Sequence, residues 1–147
     1  MQPFVGALYR LSVSFWAGGV GIFTLVLTPT LFKTQPRDLA ARIVGVLFPG
    51  YFRWGQACGA VALVCLLITR GANFAAALVI LLLMLALVSY QAFSIEPRAA
   101  ALKREIPSFE TTPKDNPLRR QFSRLHAVSA TCNILVFAGG VALVVLF

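Results

Sequence analysis

At 147 residues, 59% of them hydrophobic and only 12% charged, the chain is too apolar for a soluble domain of its size, which would lack the polar surface to cover such a core. Its formal net charge of +8 does not mark a nucleic-acid binder, because no basic stripe carries interleaved aromatics on which bases would stack. No nucleophile beside a base, no phosphate loop and no paired carboxylates occur, so enzyme chemistry is not expected.

Four apolar stretches predict an all-α, integral membrane four-helix bundle with short amphipathic cytoplasmic helices, forming one domain over 1–147. The spans fall at about 11–32, 51–69, 72–95 and 124–146. A helix of about 20 residues, rising roughly 1.5 Å per residue, crosses a hydrocarbon core of about 30 Å. The first span is too long for a cleavable signal, and no small-x-small site follows it. Pro29 is expected to bend its inner end, with Thr28, Thr30 or a neighbouring helix serving the freed carbonyl. Pro36 then blocks helix continuation in a turn over 35–38.

Within 39–50, Leu39, Ile43, Val46 and Leu47 recur at helical spacing around Arg42, which reads as an amphipathic segment at the inner interface. Pro49-Gly50 is expected to break it and redirect the chain into the second span, where Arg53 and Trp54 sit as interfacial anchors. Arg70-Gly71 ends that span, and the third follows almost at once, making the two antiparallel neighbours. The cytoplasmic loop 96–121 should hold a short helix over 97–106 with Ser94 as its cap. A turn over 111–116 follows, then Asn116-Pro117 as cap and first helical residue of the fourth span. The chain ends inside an apolar run, with no outer tail expected. Each half reads span, proline, short amphipathic piece, span, a faint echo of a duplicated hairpin.

Charge placement gives the orientation. Of the 13 Lys and Arg residues, only Arg10 and Arg70 fall on the side shared by the two termini. Cytoplasmic loops carry the Lys/Arg excess, so both termini are expected outside and the basic loops in the cytoplasm, most naturally across a bacterial inner membrane. All five acids, Asp38, Glu96, Glu105, Glu110 and Asp115, lie on the basic side too. The basic excess then serves topology and attraction to anionic headgroups, with the lipid bilayer as the first partner.

The polar residues inside the spans are the candidate site. His126, Ser129 and Asn133 are three and four residues apart, so they share one face of the fourth span. Gln91 lies at the same depth on the third span, and Gln56 and Arg53 on the second. Polar side chains in lipid are costly and face the bundle interior, which predicts a substrate-binding vestibule open to the cytoplasm. The competing reading is an interhelical clamp, each hydrogen bond contributing about 1 kcal/mol.

No cofactor is expected. His126 is the only histidine, so a haem with two histidine ligands cannot form within one chain, and no His/Cys/acid cluster has metal spacing. Cys58 and Cys65, seven apart on one face, read either as small hydrophobes or as a sulfur ladder for a soft metal. Cys132 lies alone on the fourth span, and no disulfide framework is implied. Gly55 and Gly59 form a GxxxG pair that permits close approach of a neighbour or of a second copy, and Gly18 and Gly19 are further packing candidates.

Several pieces resemble the transmembrane-protein-205-like family of small four-span membrane proteins. They are Phe15-Trp16-Ala17-Gly18-Gly19, Thr28-Pro29-Thr30-Leu31-Phe32, the run over 40–48, and Leu125-His126-Ala127-Val128-Ser129 with Asn133. The pieces occur in the family's order over nearly the whole chain. The resemblance implies export of small or metal-containing solutes, platinum drugs among them.

Two functional classes follow. One is an exporter or channel for a small solute or metal complex; four helices enclose no wide pore, so it requires a homo-oligomer such as a dimer. The alternative is an accessory or scaffold subunit bound to a membrane-protein partner, with the polar cluster purely structural.

Overall fold

The computed structural model describes residues 2–146, and among them only helices, turns and bends occur. Four long helices form an antiparallel bundle: α1 Gln2–Thr34, α2 Arg37–Thr69, α3 Phe74–Glu105 and α4 Pro117–Leu146. All four are long and apolar enough to cross a membrane. A helix of 33 residues is about 50 Å long at roughly 1.5 Å per residue, well beyond a hydrocarbon core of about 30 Å. The surplus of α2, α3 and α4 lies at the end of the bundle that carries most of the Lys and Arg side chains, here termed the basic end, and that of α1 lies mainly at the other end.

That surplus corrects three expected boundaries. The segment 39–50 is not a separate interfacial helix: α2 runs unbroken through Pro49. Pro49 deprives the Gly45 carbonyl of its helical donor, yet packing holds both sides of the proline in line. Ala40, Ala41 and Val44 are buried before it, and Phe52, Gly55 and Cys58 after it. From α3, Lys103 reaches across this stretch, its Nζ donating to the Ala41 carbonyl at 2.5 Å. Likewise 97–106 is not an independent helix capped by Ser94, since α3 continues through Pro97 to Glu105. The first helix starts at Gln2 rather than near residue 11.

Both prolines are accommodated by a wide turn just upstream. Ile22–Leu27 and Gln91–Ile95 are π-helical, closed by the Thr28 amide bonding to the Phe23 carbonyl and the Glu96 amide to the Gln91 carbonyl. One extra residue per turn shifts the ladder register where Pro29 and Pro97 would otherwise clash with the preceding turn. The faint sequence echo has a structural counterpart here. Tyr9, Val13, Trp16, Val20 and Phe23 are buried on α1, and Ala77, Leu81, Met84, Val88 and Gln91 on α3. Each pair, and the pair Pro29/Pro97, is separated by the same 68 positions.

The core is centred on Trp16, 1% exposed. Its indole lies against the glycine face of α2: a Cβ at Gly55 would stand 2.7 Å from Trp16 Nε1, and one at Gly59 2.6 Å from its Cζ3. In lipid, apolar burial does not drive helices together, so such close van der Waals contact carries the association. The GxxxG pair is therefore occupied within the chain. Gly140 approaches Ala17 in the same way, and Gly19 lies beside Trp54, but Gly18 faces open space and meets no neighbour within the chain.

At the basic end, the 106–116 connection folds back onto α2. Asp38 accepts hydrogen bonds from the Ser108 hydroxyl and the Phe109 amide, both at 2.6 Å. Ala41, Ile106 and Phe109 form a second small core there, flanked by Leu118 and Phe122. Asn116 caps α4 through its side-chain oxygen, bonded to the Leu118 amide at 3.0 Å, and Pro117 takes the first helical position. The Arg70 carboxy-cap, in the left-handed region, closes α2 ahead of the short link to α3.

Candidate functional site

The polar face of α4 meets its partners one turn at a time. Ser129 is buried, and its hydroxyl donates to Gln91 Oε1 on α3 at 2.8 Å. One turn on, Asn133, also buried, accepts from the Tyr51 hydroxyl of α2 at 3.0 Å. Thr24 of the first π turn flanks the same phenol, and Phe23 stacks on its ring with centroids 4.4 Å apart. Gln91 is 1% exposed, and its Nε2 is buried with no hydrogen-bond partner. An unserved donor inside a membrane bundle costs about 1–3 kcal/mol, so it marks a place where a further acceptor would be welcome.

His126 occupies the turn before Ser129, its ring set between Phe122, near-parallel at 6.4 Å, and Phe32, tilted at 6.3 Å. Two cavities meet at this point. The smaller, about 310 Å³, lies between α1 and α4 and is lined by Thr24, Thr28, Pro29, Phe48, His126 and Asn133 among others. The larger, about 560 Å³, lies between the basic-end halves of α2, α3 and α4 and includes Phe48, Ile95, Pro97, Arg42, Lys103 and Arg104. Phe32, Phe48, His126 and Ser129 line both. Each cavity has as one wall the proline that follows a π turn. The widened turns leave gaps in helix packing that regular α-helices would have closed.

Of the residues the sequence singled out, His126, Ser129, Asn133 and Gln91 come together. Gln56 does not join them: its Nε2 bonds Ser89 Oγ at 3.4 Å, an α2–α3 clamp lining neither cavity. Arg53 is exposed on the outside of α2 and lies apart from the cluster. Cys58 and Cys65 are buried in the bundle, and among the described residues no group of three His, Cys, Asp or Glu side chains could hold a metal ion. Tyr51 is the residue that sequence reasoning missed. It stands two positions after Pro49, where a chain break was expected, and only a continuous α2 turns its hydroxyl toward α4. A helical wheel carried through Pro49 would have placed Tyr51 one turn from Gly55 on the buried face.

A family model described as "Domain of unknown function (DUF4149)" matches residues 11–108, which takes in most of α1 from residue 11 onward, the whole of α2 and α3, and Gln91 and Tyr51. No curated protein and no solved structure matches the chain.

Proposed function

The chain belongs to this DUF4149 family, and on that premise we propose that it passes a small solute or metal complex through the vestibule lined by His126, Ser129 and Asn133, with Gln91 hydrogen-bonded behind Ser129. The observation that carries the reading is the junction of two cavities at His126 and Ser129, with Ser129 hydrogen-bonded to a buried Gln91 whose Nε2 is unserved. Purely structural polar pairs need no adjoining space; these have it on both sides of α4. In this reading the basic end faces the cytoplasm, as the Lys/Arg asymmetry favours, and substrate enters there. Four helices enclose no wide pore, so the working unit is a homo-oligomer. The resemblance to the transmembrane-protein-205-like family supports soft-metal or platinum complexes as cargo.

The test is uptake into everted membrane vesicles, with platinum read by elemental mass spectrometry. Vesicles containing the protein accumulate an added platinum complex, and His126→Ala and Asn133→Ala abolish the accumulation while the bundle still extracts intact. Equal accumulation with and without the protein overturns the reading. Stable co-extraction with one other membrane protein, combined with absent flux, makes this an accessory subunit instead.

A further inference from the structure

The larger cavity has a chemistry that the vestibule does not use. Much of its wall is apolar, with Phe48, Ile95 and Phe32 among the lining side chains. Its outer end carries Arg42, Lys103 and Arg104 against a single acid, Glu96. Arg42 and Arg104 are solvent-exposed. Lys103 spends one of its three N–H groups on the Ala41 carbonyl, which fixes its ammonium at the cavity wall. The cations sit on the stretches of α2 and α3 that extend past the apolar spans, while Ile95 ends the apolar span of α3 and Phe32 that of α1. Val46 and Phe32 line the cavity and are themselves exposed apolar side chains, so its wall continues onto the surface that meets the bilayer.

A solute passing the polar face at His126 and Ser129 leaves the apolar wall of this cavity unused, and a neutral apolar ligand leaves three cations facing one acid. We propose that this cavity binds an anionic phospholipid of the adjoining leaflet, its phosphate held by Arg42 and Arg104 and one acyl chain laid against Phe48 and Ile95. The volume, about 560 Å³, lies within the range of roughly 300–1,000 Å³ typical of small-molecule sites. Basic pockets between helix ends are suited to lipid headgroups. Planar guanidinium groups add bidentate geometry toward phosphate oxygens. The proposal does not rest on solute passage, because binding is measured without flux.

The experiment is native mass spectrometry of the full-length protein in mild detergent, titrated with phosphatidylglycerol or chain-matched phosphatidylcholine. The expected result is retention of phosphatidylglycerol in clear preference to phosphatidylcholine. The double variant Arg42→Gln/Arg104→Gln reduces that preference by about tenfold or more. Ala100→Trp, which fills the cavity, removes retention of both lipids, whereas Val141→Trp, on the exposed face at the far end of α4, leaves it intact. Equal retention of the two lipids, or a preference unchanged by the arginine variants, overturns the proposal. So does displacement of the lipid by inorganic phosphate, which would make the site one for small anions. If the tryptophan variant fails to fold, the arginine pair decides alone, since both side chains are exposed and neither holds the core.

Discussion

The Ser129 hydroxyl donates to Gln91 Oε1 across 2.8 Å, joining the middle of α4 to the π turn of α3 and leaving Gln91 Nε2 buried and unserved. Ser129→Ala removes the donor and leaves Gln91 Oε1 unserved as well. The expected cost is about 1–2 kcal/mol in thermal or denaturant unfolding in detergent. Gln91→Leu removes both unmet groups together, so the double variant should be less destabilised than the sum of the two singles. Strict additivity would show that the two side chains do not interact.

Glycine spacing on α2 is filled by Trp16. A Cβ at Gly59 meets Leu85 at 2.5 Å and Trp16 at 2.6 Å, so Gly59→Ala should destabilise the bundle by about 1–3 kcal/mol through overpacking. Gly18→Ala has open space around it and should be neutral or gain up to about 1 kcal/mol of helix propensity. Thermal-shift measurements on the two variants check the contrast. An equal loss at both sites would mean that Gly18 meets a second copy.

Asp38 ties the 106–116 connection to α2, and its carboxyl is held below the usual carboxylate range because the charged form accepts from the Ser108 hydroxyl and then the Phe109 amide. A depressed folded pKa means that the stabilisation is complete above the ordinary value of about 3.9 and disappears as pH falls through the lower, folded one. Hydrogen exchange at the Phe109 amide, taken relative to the intrinsic rate at each pH, should therefore stay slow at neutral pH and accelerate only in strong acid. Asp38→Asn should accelerate it at neutral pH. Unchanged protection in that variant would show that the small Ile106–Phe109 core holds the loop unaided.

Cys58 and Cys65 are 8% and 4% exposed and face the bundle. A membrane-impermeant maleimide should leave both unlabelled in native membranes and label them after denaturation. Fast native labelling would place them on a path open to water and support the sulfur ladder.

The sequence alone determined the class. Apolar stretches of spanning length, a Lys/Arg excess gathered at alternate links, and the Asn116-Pro117 start of α4 are one-dimensional signals, because bilayer thickness, charge and cap chemistry act on contiguous residues. The cluster of His126, Ser129 and Asn133 was legible for the same reason: helical spacing puts i, i+3 and i+7 on one face. Only the tertiary structure decided what happens at Pro29, Pro49 and Pro97. A proline read locally ends a helix, but buried neighbours on both sides hold Pro49 within α2, and π turns absorb the other two. From that continuity come the turn of Tyr51 toward Asn133, the exclusion of Arg53, the occupation of the GxxxG pair by Trp16, and the two cavities that meet at His126. Each depends on which helix lies opposite, and that is settled by close packing between segments far apart in the chain.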